Sequence, residues 1–265
     1  MTLIVGIKCS DGVVIAADSA ATLGNALGEQ TVREAVPKLQ ILENRIVLGV
    51  SGPVGLGQLF ADRVKVSWSQ QGGLKGVKSV AEAMRLIRDA IRQDAMAAIQ
   101  GAAAAAPMLG GVARIGAITS TLVALPVAGT PELIQFDYQG MPEAATGNLP
   151  YVSIGIGQPL ADPFLAFLRN VFWERNSLPK LADAVFAAVW TLEHAIKIAP
   201  GNVAGPTQIA ILESKGSTLV ARVLLPQELE EHKQNVHGAE QHLALYSKPQ
   251  ELTSQPPEPP TLSQP

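Results

Sequence analysis

Cysteine is almost absent from this 265-residue chain, where Cys9 is the single example. One thiol excludes an intrachain disulfide and any metal site built on clustered cysteines. Charge is sparse too: 16% of residues, with 20 Lys and Arg against 23 Asp and Glu. A net charge of −3 gives no basis for a nucleic acid or an anionic membrane as partner. Long hydrophobic runs are missing, since no apolar stretch reaches the roughly 20 residues a membrane span requires. The first residues lack the basic-then-apolar order of a secretory leader. These absences predict a cytoplasmic chain. What is plentiful is apolar side chain, 47% of residues, which is enough for one sizeable domain or two small ones.

The chain opens on two short apolar runs, Leu3-Ile4-Val5-Gly6-Ile7 and Val13-Val14-Ile15-Ala16-Ala17, separated by Ser10-Asp11-Gly12. Asp-Gly between two such runs reads as a β-hairpin, because glycine tolerates a positive φ. Residues 19–37 are polar and glycine-containing and read as a long loop. Strands follow at Lys38-Leu39-Gln40-Ile41-Leu42 and Ile46-Val47-Leu48-Gly49-Val50-Ser51. Helical periodicity starts after Gly52-Pro53, and again after Ser79-Val80-Ala81-Glu82, a capping-box pattern. The second helix is expected to run toward Ala98, with residues 101–117 as helix end plus loop. Strands are expected near 118–125, 133–138 and 151–157, helices near 159–173 and 178–198, and a closing hairpin over 208–212 and 218–224. Strands, two helices, strands, two helices and strands imply an α+β fold of two sheets, each with its own helix pair. The composition changes at Pro226. The chain therefore divides into a domain over 1–225 and an acidic, Pro-rich extension over 226–265. Residues 226–250 read as partly helical, and 251–265 as disordered.

Two motif types carry no cofactor chemistry. Gly155-Ile156-Gly157 and Gly52-Pro53-Val54-Gly55-Leu56-Gly57 lack the Gly-Lys-Ser/Thr ending of a phosphate loop and the spacing of a dinucleotide fingerprint. His232, His237 and His242 are five apart and do not share a helical face, so no metal site is expected. Cys9, at the end of the first strand, reads as an inert packed thiol.

Thr2 carries the sharper signal. A threonine after the initiator Met is small enough for Met1 removal, which would leave a free α-amine. A hydroxyl is a poor nucleophile without a base, and an N-terminal Thr brings one with it. An ammonium nearby would favour the neutral amine and steady the developing alkoxide. Lys38 opens a strand that could supply that charge, and Asp18, ending the second strand, could anchor it.

The run Thr2-Leu3-Ile4-Val5-Gly6-Ile7, then Asp11 to Asp18, Ala21-Thr22-Leu23-Gly24-Asn25, Lys38-Leu39 and Val47-Leu48-Gly49-Val50-Ser51-Gly52 resembles proteasome β-subunits and HslV peptidase. Those are N-terminal-nucleophile hydrolases, and the opening is most similar to a bacterial proteasome homologue. The resemblance implies a four-layer αββα sandwich. It also implies a threonine peptidase in which Thr2 is the nucleophile, Asp18 the acidic partner, Lys38 the catalytic lysine and Gly49 the oxyanion donor. Thr22 would pair with an extended substrate, and Ala21, Gln40, Val47 and Ser51 would line the pocket beside the scissile bond. No cofactor is implied. The expected partners are a peptide or unfolded-protein substrate, further copies in homo-oligomeric stacked rings, and an ATP-dependent unfoldase. The apolar helix near 178–198 is a candidate ring contact. The family's second polar set is missing. Ile156 stands where the family has a serine between two glycines, and Asn202 is the only polar side chain where it has an Asp and a Ser. A non-peptidase amidase, or a ring-forming subunit with little catalysis, is the alternative outcome.

Overall fold

The computed structural model describes residues 2–24, 30–109, 118–174 and 177–246. The opening segment is the expected hairpin, β1 (Ile4–Lys8) and β2 (Gly12–Ala17), with Ile4 opposite Ala17 and Ile7 opposite Val14. Gly12 is needed where it stands. A Cβ there would come within 2.6 Å of the Leu212 carbonyl oxygen. The hairpin forms the centre of one sheet in the order β10-β1-β2-β11-β12, with β10 (Tyr151–Ile154), β11 (Gln208–Lys215) and β12 (Thr218–Val223). The second sheet has the order β5-β6-β7-β8-β9, from β5 (Leu39–Leu42), β6 (Ile46–Ser51), β7 (Ser120–Val127), β8 (Thr130–Phe136) and β9 (Pro142–Ala144). Glu43 and Asn44, at φ of 52° and 53°, make the tight turn between β5 and β6, the backbone form that suits a two-residue hairpin loop.

The helices are α1 (Val54–Ser69), α2 (Val80–Leu109), α3 (Gln158–Phe172), α4 (Leu181–Ile198) and α5 (Pro226–Tyr246). Ser79 Oγ accepts the Glu82 N–H at 3.2 Å, and Glu82 accepts the Lys78 N–H, so the capping signal marks the true start of α2. That helix outruns its expected end near Ala98. The Ala102 to Ala106 run has high helix propensity and carries it past Gly101, with Pro107 in the last turn. Residues 110–117 of the expected loop lie outside the described residues.

Alternation along the strands sorts the layers. Leu3, Val5, Ile7, Val14 and Ala16 point to α3, α4 and α5. Ile4, Val13, Ile15 and Ala17 point the other way, against Val47, Leu122, Ala124 and Leu133 of the second sheet. Ile46, Leu48, Val123 and Leu125 face α1 and α2. Strands covered on both faces need apolar residues at every position, and β2 is buried throughout. The architecture is the αββα sandwich. At its margin Lys8 Nζ meets Glu132 Oε2 at 2.5 Å, tying β1 to β8 across the two sheets.

Three expectations change. Residues 19–37 are not simply a loop, because β3 (Ala20–Gly24) and β4 (Gln30–Ala35) pair as an antiparallel ribbon. The polar sequences Gln30-Thr31-Val32-Arg33-Glu34 and Ala20-Ala21-Thr22 lack the apolar alternation by which a core strand is recognised. The short edge strand β9 is too brief to show a period. Most apolar residues of α4 are already covered: Val185, Ala188, Val189, Leu192 and Ala195 are buried against the first sheet and its neighbouring helices, though Ile198 is exposed. On α3, by contrast, Phe167, Val171 and Phe172 lie open.

Residues 226–246 are one helix, packed on the domain through the buried Val236 and a Lys197–Glu240 ion pair at 3.0 Å. The expected disordered segment 251–265 lies outside the described residues. No helix among the described residues is long and apolar enough to cross a membrane.

Candidate active site

Thr2 precedes β1, Asp18 follows β2, and Lys38 precedes β5, so strand ends from both sheets meet at one pole of the sandwich. Lys38 Nζ lies 3.2 Å from Thr2 Oγ1 and 2.6 Å from Asp18 Oδ1. The three residues singled out from separate sequence contexts are thus one constellation. Asp18 is fully buried and the Lys38 side chain is 7% exposed.

A buried carboxylate is tolerated only when its lone pairs are used. Asp18 accepts from four donors. Oδ1 takes the Leu3 N–H at 2.9 Å and the Lys38 ammonium. Oδ2 takes the Ala20 N–H at 3.2 Å and the Ala204 N–H at 3.4 Å. The loop that brings Ala204 also gives its carbonyl to the Ser19 N–H at 3.0 Å. Asn202 sits in that loop, its N–H donated to Ala199 O.

The turn from β10 into α3 wraps the start of the chain. The Gly157 N–H donates to Thr2 O at 3.2 Å. Gly155 has φ of +96°, and a Cβ there would lie 2.2 Å from Thr2 O and 2.9 Å from Ser51 Oγ. This close approach is why a Gly-x-Gly sequence stands here. Between the glycines, Ile156 is 56% exposed.

The remaining expected site residues divide. Val47, Gly49 and Ser51 face the same side of β6, and Ser51 Oγ and Thr2 O both crowd the Gly155 Cβ position. Val47 is fully buried in the inter-sheet core. Gly49 has Leu39 as its partner on β5 and Leu122 as its partner on β7. The missing side chain there admits Ile4, 3.1 Å from the Cβ position. Ala21 is half-buried on β3. Thr22 also lies on β3, its backbone opposite Arg33, and Gln40 is half-buried on β5. Two clefts, of about 280 Å³ beside Ser153 and Asp162 and about 490 Å³ beside Arg45 and Trp68, are lined by none of the trio. Cys9 is buried, and that burial pushes its thiol pKa well up, as expected of an inert thiol. His232, His237 and His242 lie along α5. Sequence reading missed Gln208, because a glutamine at a strand start carries no specific signal.

Strand ends converging on a Thr–Lys–Asp cluster within an αββα sandwich define the N-terminal-nucleophile hydrolase fold. Comparison with known proteins agrees. A family model described as Proteasome subunit matches residues 2–76. Proteasome subunit beta 2 of Pyrococcus abyssi is 36% identical over 84 residues, 30% of this chain. That match spans 39% of the relative's length. Solved structures extend the likeness over the whole fold. Anbu (ancestral beta-subunit) from Yersinia bercovieri has a TM-score of 0.67 at 16% identity, covering 94% of this chain and 98% of that one. Anbu from Hyphomicrobium sp. strain MC1 has a TM-score of 0.65 at 17% identity, covering 95% and 100%. A helical assembly of the Anbu complex from Pseudomonas aeruginosa has a TM-score of 0.64 at 18% identity, with the same coverage. The chain resembles proteasome β-subunit-like proteins and shares their fold.

Proposed function

We propose that this chain is a threonine-type hydrolase that cleaves peptide bonds after removal of Met1 exposes the Thr2 amine. The observation that carries the reading is Lys38 Nζ, 3.2 Å from Thr2 Oγ1 and held by a buried carboxylate at 2.6 Å. In the proposed reaction Thr2 Oγ attacks the scissile carbonyl, and its proton passes to the α-amine through a water. The Lys38 ammonium stabilises the alkoxide, and the amine leaving group takes the proton. Water then hydrolyses the acyl-ester on Thr2. Backbone N–H groups receive the oxyanion. Gly49 is the donor that the resemblance to proteasome β-subunits implies, on the strand that runs on to Ser51. Ala21, Thr22 and Ser51 border the approach for an extended substrate.

The same reading places the chain in a cytoplasmic homo-oligomer of rings or a stack, fed with unfolded protein by an ATP-dependent unfoldase. The helical assembly of a structurally similar Anbu complex supports association of this fold. The domain assignment we favour keeps 1–225 as the hydrolase unit, with 226–265 as its extension.

One observation favours a second reading, an assembly subunit with little catalysis, or an amidase of narrow substrate range. Ile156 and Asn202 replace the family's second polar set. Intact mass before and after treatment with a peptide epoxyketone decides. Loss of Met1 plus one adduct on Thr2 supports the hydrolase. A mature chain that stays unmodified, or retains Met1, overturns it. Small amides and peptides assayed in parallel separate amidase from peptidase.

A further inference from the structure

Lys38 is delivered by a backbone segment that belongs to no strand. β4 ends at Ala35 and β5 begins at Leu39, leaving Val36, Pro37 and Lys38 between them. A flexible four-carbon stem on a loose backbone would not hold an ammonium in one place, because both the stem and the φ/ψ pairs cost entropy to order. The structure shows what orders this segment. The side-chain amide of Gln208, the first residue of β11, binds it twice. Gln208 Oε1 accepts the Lys38 N–H at 2.9 Å, and Gln208 Nε2 donates to Val36 O at 2.7 Å. A carboxamide offers one acceptor and two donors in a fixed plane, so this side chain continues the ladder where no strand exists. Val36 is tied down further by its own N–H, which donates to Ser19 O at 2.8 Å.

The position of Gln208 gives the clamp its use. Its Cα partner across the sheet is Ala17, the residue before Asp18. One rigid rung thus carries the carboxylate's neighbour on β2 and the lysine's clamp on β11. The distance from Asp18 to the Lys38 backbone is fixed through the first sheet, although Lys38 leads into the second. We infer that Gln208 is the positioning residue for Lys38, setting the backbone from which its ammonium spans Thr2 Oγ1 and Asp18. It touches no reacting atom, and the inference rests on the Thr2–Lys38–Asp18 reading above.

Two variants test it. Gln208→Met keeps the length and loses both hydrogen bonds, while Gln208→Glu keeps an acceptor for the Lys38 N–H. The full chain is followed by amide hydrogen exchange at Lys38 and by epoxyketone labelling, resolved into the maximal rate and the half-saturating concentration. In Gln208→Met, exchange at Lys38 is expected to quicken about tenfold, the worth of one hydrogen bond. The maximal labelling rate should fall roughly tenfold to hundredfold at unchanged half-saturation, as misplacement of a catalytic group does. Gln208→Glu should restore the exchange protection and much of the rate. A purely structural role would lower thermal stability in both variants without separating rate from saturation. Unchanged Lys38 exchange in Gln208→Met overturns the clamp, and so does an unchanged labelling rate. If the wild-type chain is not labelled at all, the hydrolase reading fails, and exchange at Lys38 alone judges the clamp.

Discussion

Leu3 and Asp18 are tied to each other twice: the Leu3 N–H donates to Asp18 Oδ1 at 2.9 Å, and the Asp18 N–H donates to Leu3 O at 3.1 Å. The residue beside the candidate nucleophile is thereby locked to the residue that anchors the lysine. Removing the carboxylate strands the Lys38 ammonium in a buried setting, together with three backbone N–H donors. Asp18→Ala should cost about 3–5 kcal/mol, the usual penalty for breaking one side of a buried pair. Chemical denaturation checks this. Asp18→Asn, which keeps an acceptor for the backbone donors, should lose less stability yet still lose Thr2 labelling.

The Thr2 amine should titrate into activity. A free α-amine has a pKa of roughly 7.7–8.0, and a second cation beside it disfavours its charged form. Attack requires the neutral amine, so the labelling rate should rise with pH and level off, with a midpoint below about 7.7. In Lys38→Met the midpoint should move up, and the plateau should drop by about 10²–10³, as when an electrostatic stabiliser is removed. A stopped assay of labelling from pH 5.5 to 9 measures both. Identical profiles in the two proteins would remove Lys38 from the chemistry.

Legibility followed the physics of each element. The opening hairpin was readable because apolar runs and Asp11-Gly12 act locally. Thr2, Asp18 and Lys38 are each ordinary singly; their order and local contexts, which resemble those of proteasome β-subunits, make them legible together. The β3–β4 ribbon was not, since a pairing outside the main sheets leaves no apolar period. Val47 was assigned to a pocket from its alignment alone; which end of a strand a residue reaches depends on tertiary register. Gln208 was invisible for the same reason: its work is a contact between β11 and residues 36–38, 170 positions away in sequence for Lys38.

Acid should loosen the helix layer on the first sheet. The His194 ring stacks on Phe164 at 4.1 Å and 6°, joining α4 to α3. Burial, the larger influence, lowers its pKa below the ordinary 6.5, against the opposing pull of Glu240. His232 on α5 is lowered by burial as well. With folded values below unfolded ones, the unfolded chain binds more protons as pH falls past 6.5. Stability is therefore full above that value and declines toward the lower folded values. Thermal melts between about pH 7.5 and 5.5 should show a falling Tm, and His194→Phe should flatten the slope.

The self-association proposed above should depend on α3. Phe167 and Val171 are i and i+4 on that helix and are exposed at 49% and 54%. Adjacent open apolar groups of this kind mark contact surfaces more often than chance, and the occupant expected here is a second copy of the chain. Phe167→Glu with Val171→Glu should reduce the assembly mass in light scattering while leaving the melting temperature nearly unchanged. An unaltered mass would move the contact elsewhere.

Ile156 offers a gain-of-function test. Gly155 and Gly157 pack on either side of the Thr2 carbonyl, so residue 156 stands at the rim of the site. An isoleucine there provides no hydrogen bond to an amine or its water. The resemblance to proteasome β-subunits implies a serine at this place, with a hydroxyl that helps orient both. In Ile156→Ser the turn keeps its two glycines, and an exposed apolar side chain is replaced, so folding should be undisturbed. One added hydrogen bond in the attack geometry is worth a rate increase of roughly threefold to tenfold. It should appear in kcat with KM unchanged, because the hydroxyl acts on the nucleophile rather than on ground-state binding. A fall in kcat would mean that the apolar rim itself serves the reaction, by excluding water from the acyl-ester or by holding an apolar substrate group. The wild-type chain would then be specialised, not impaired.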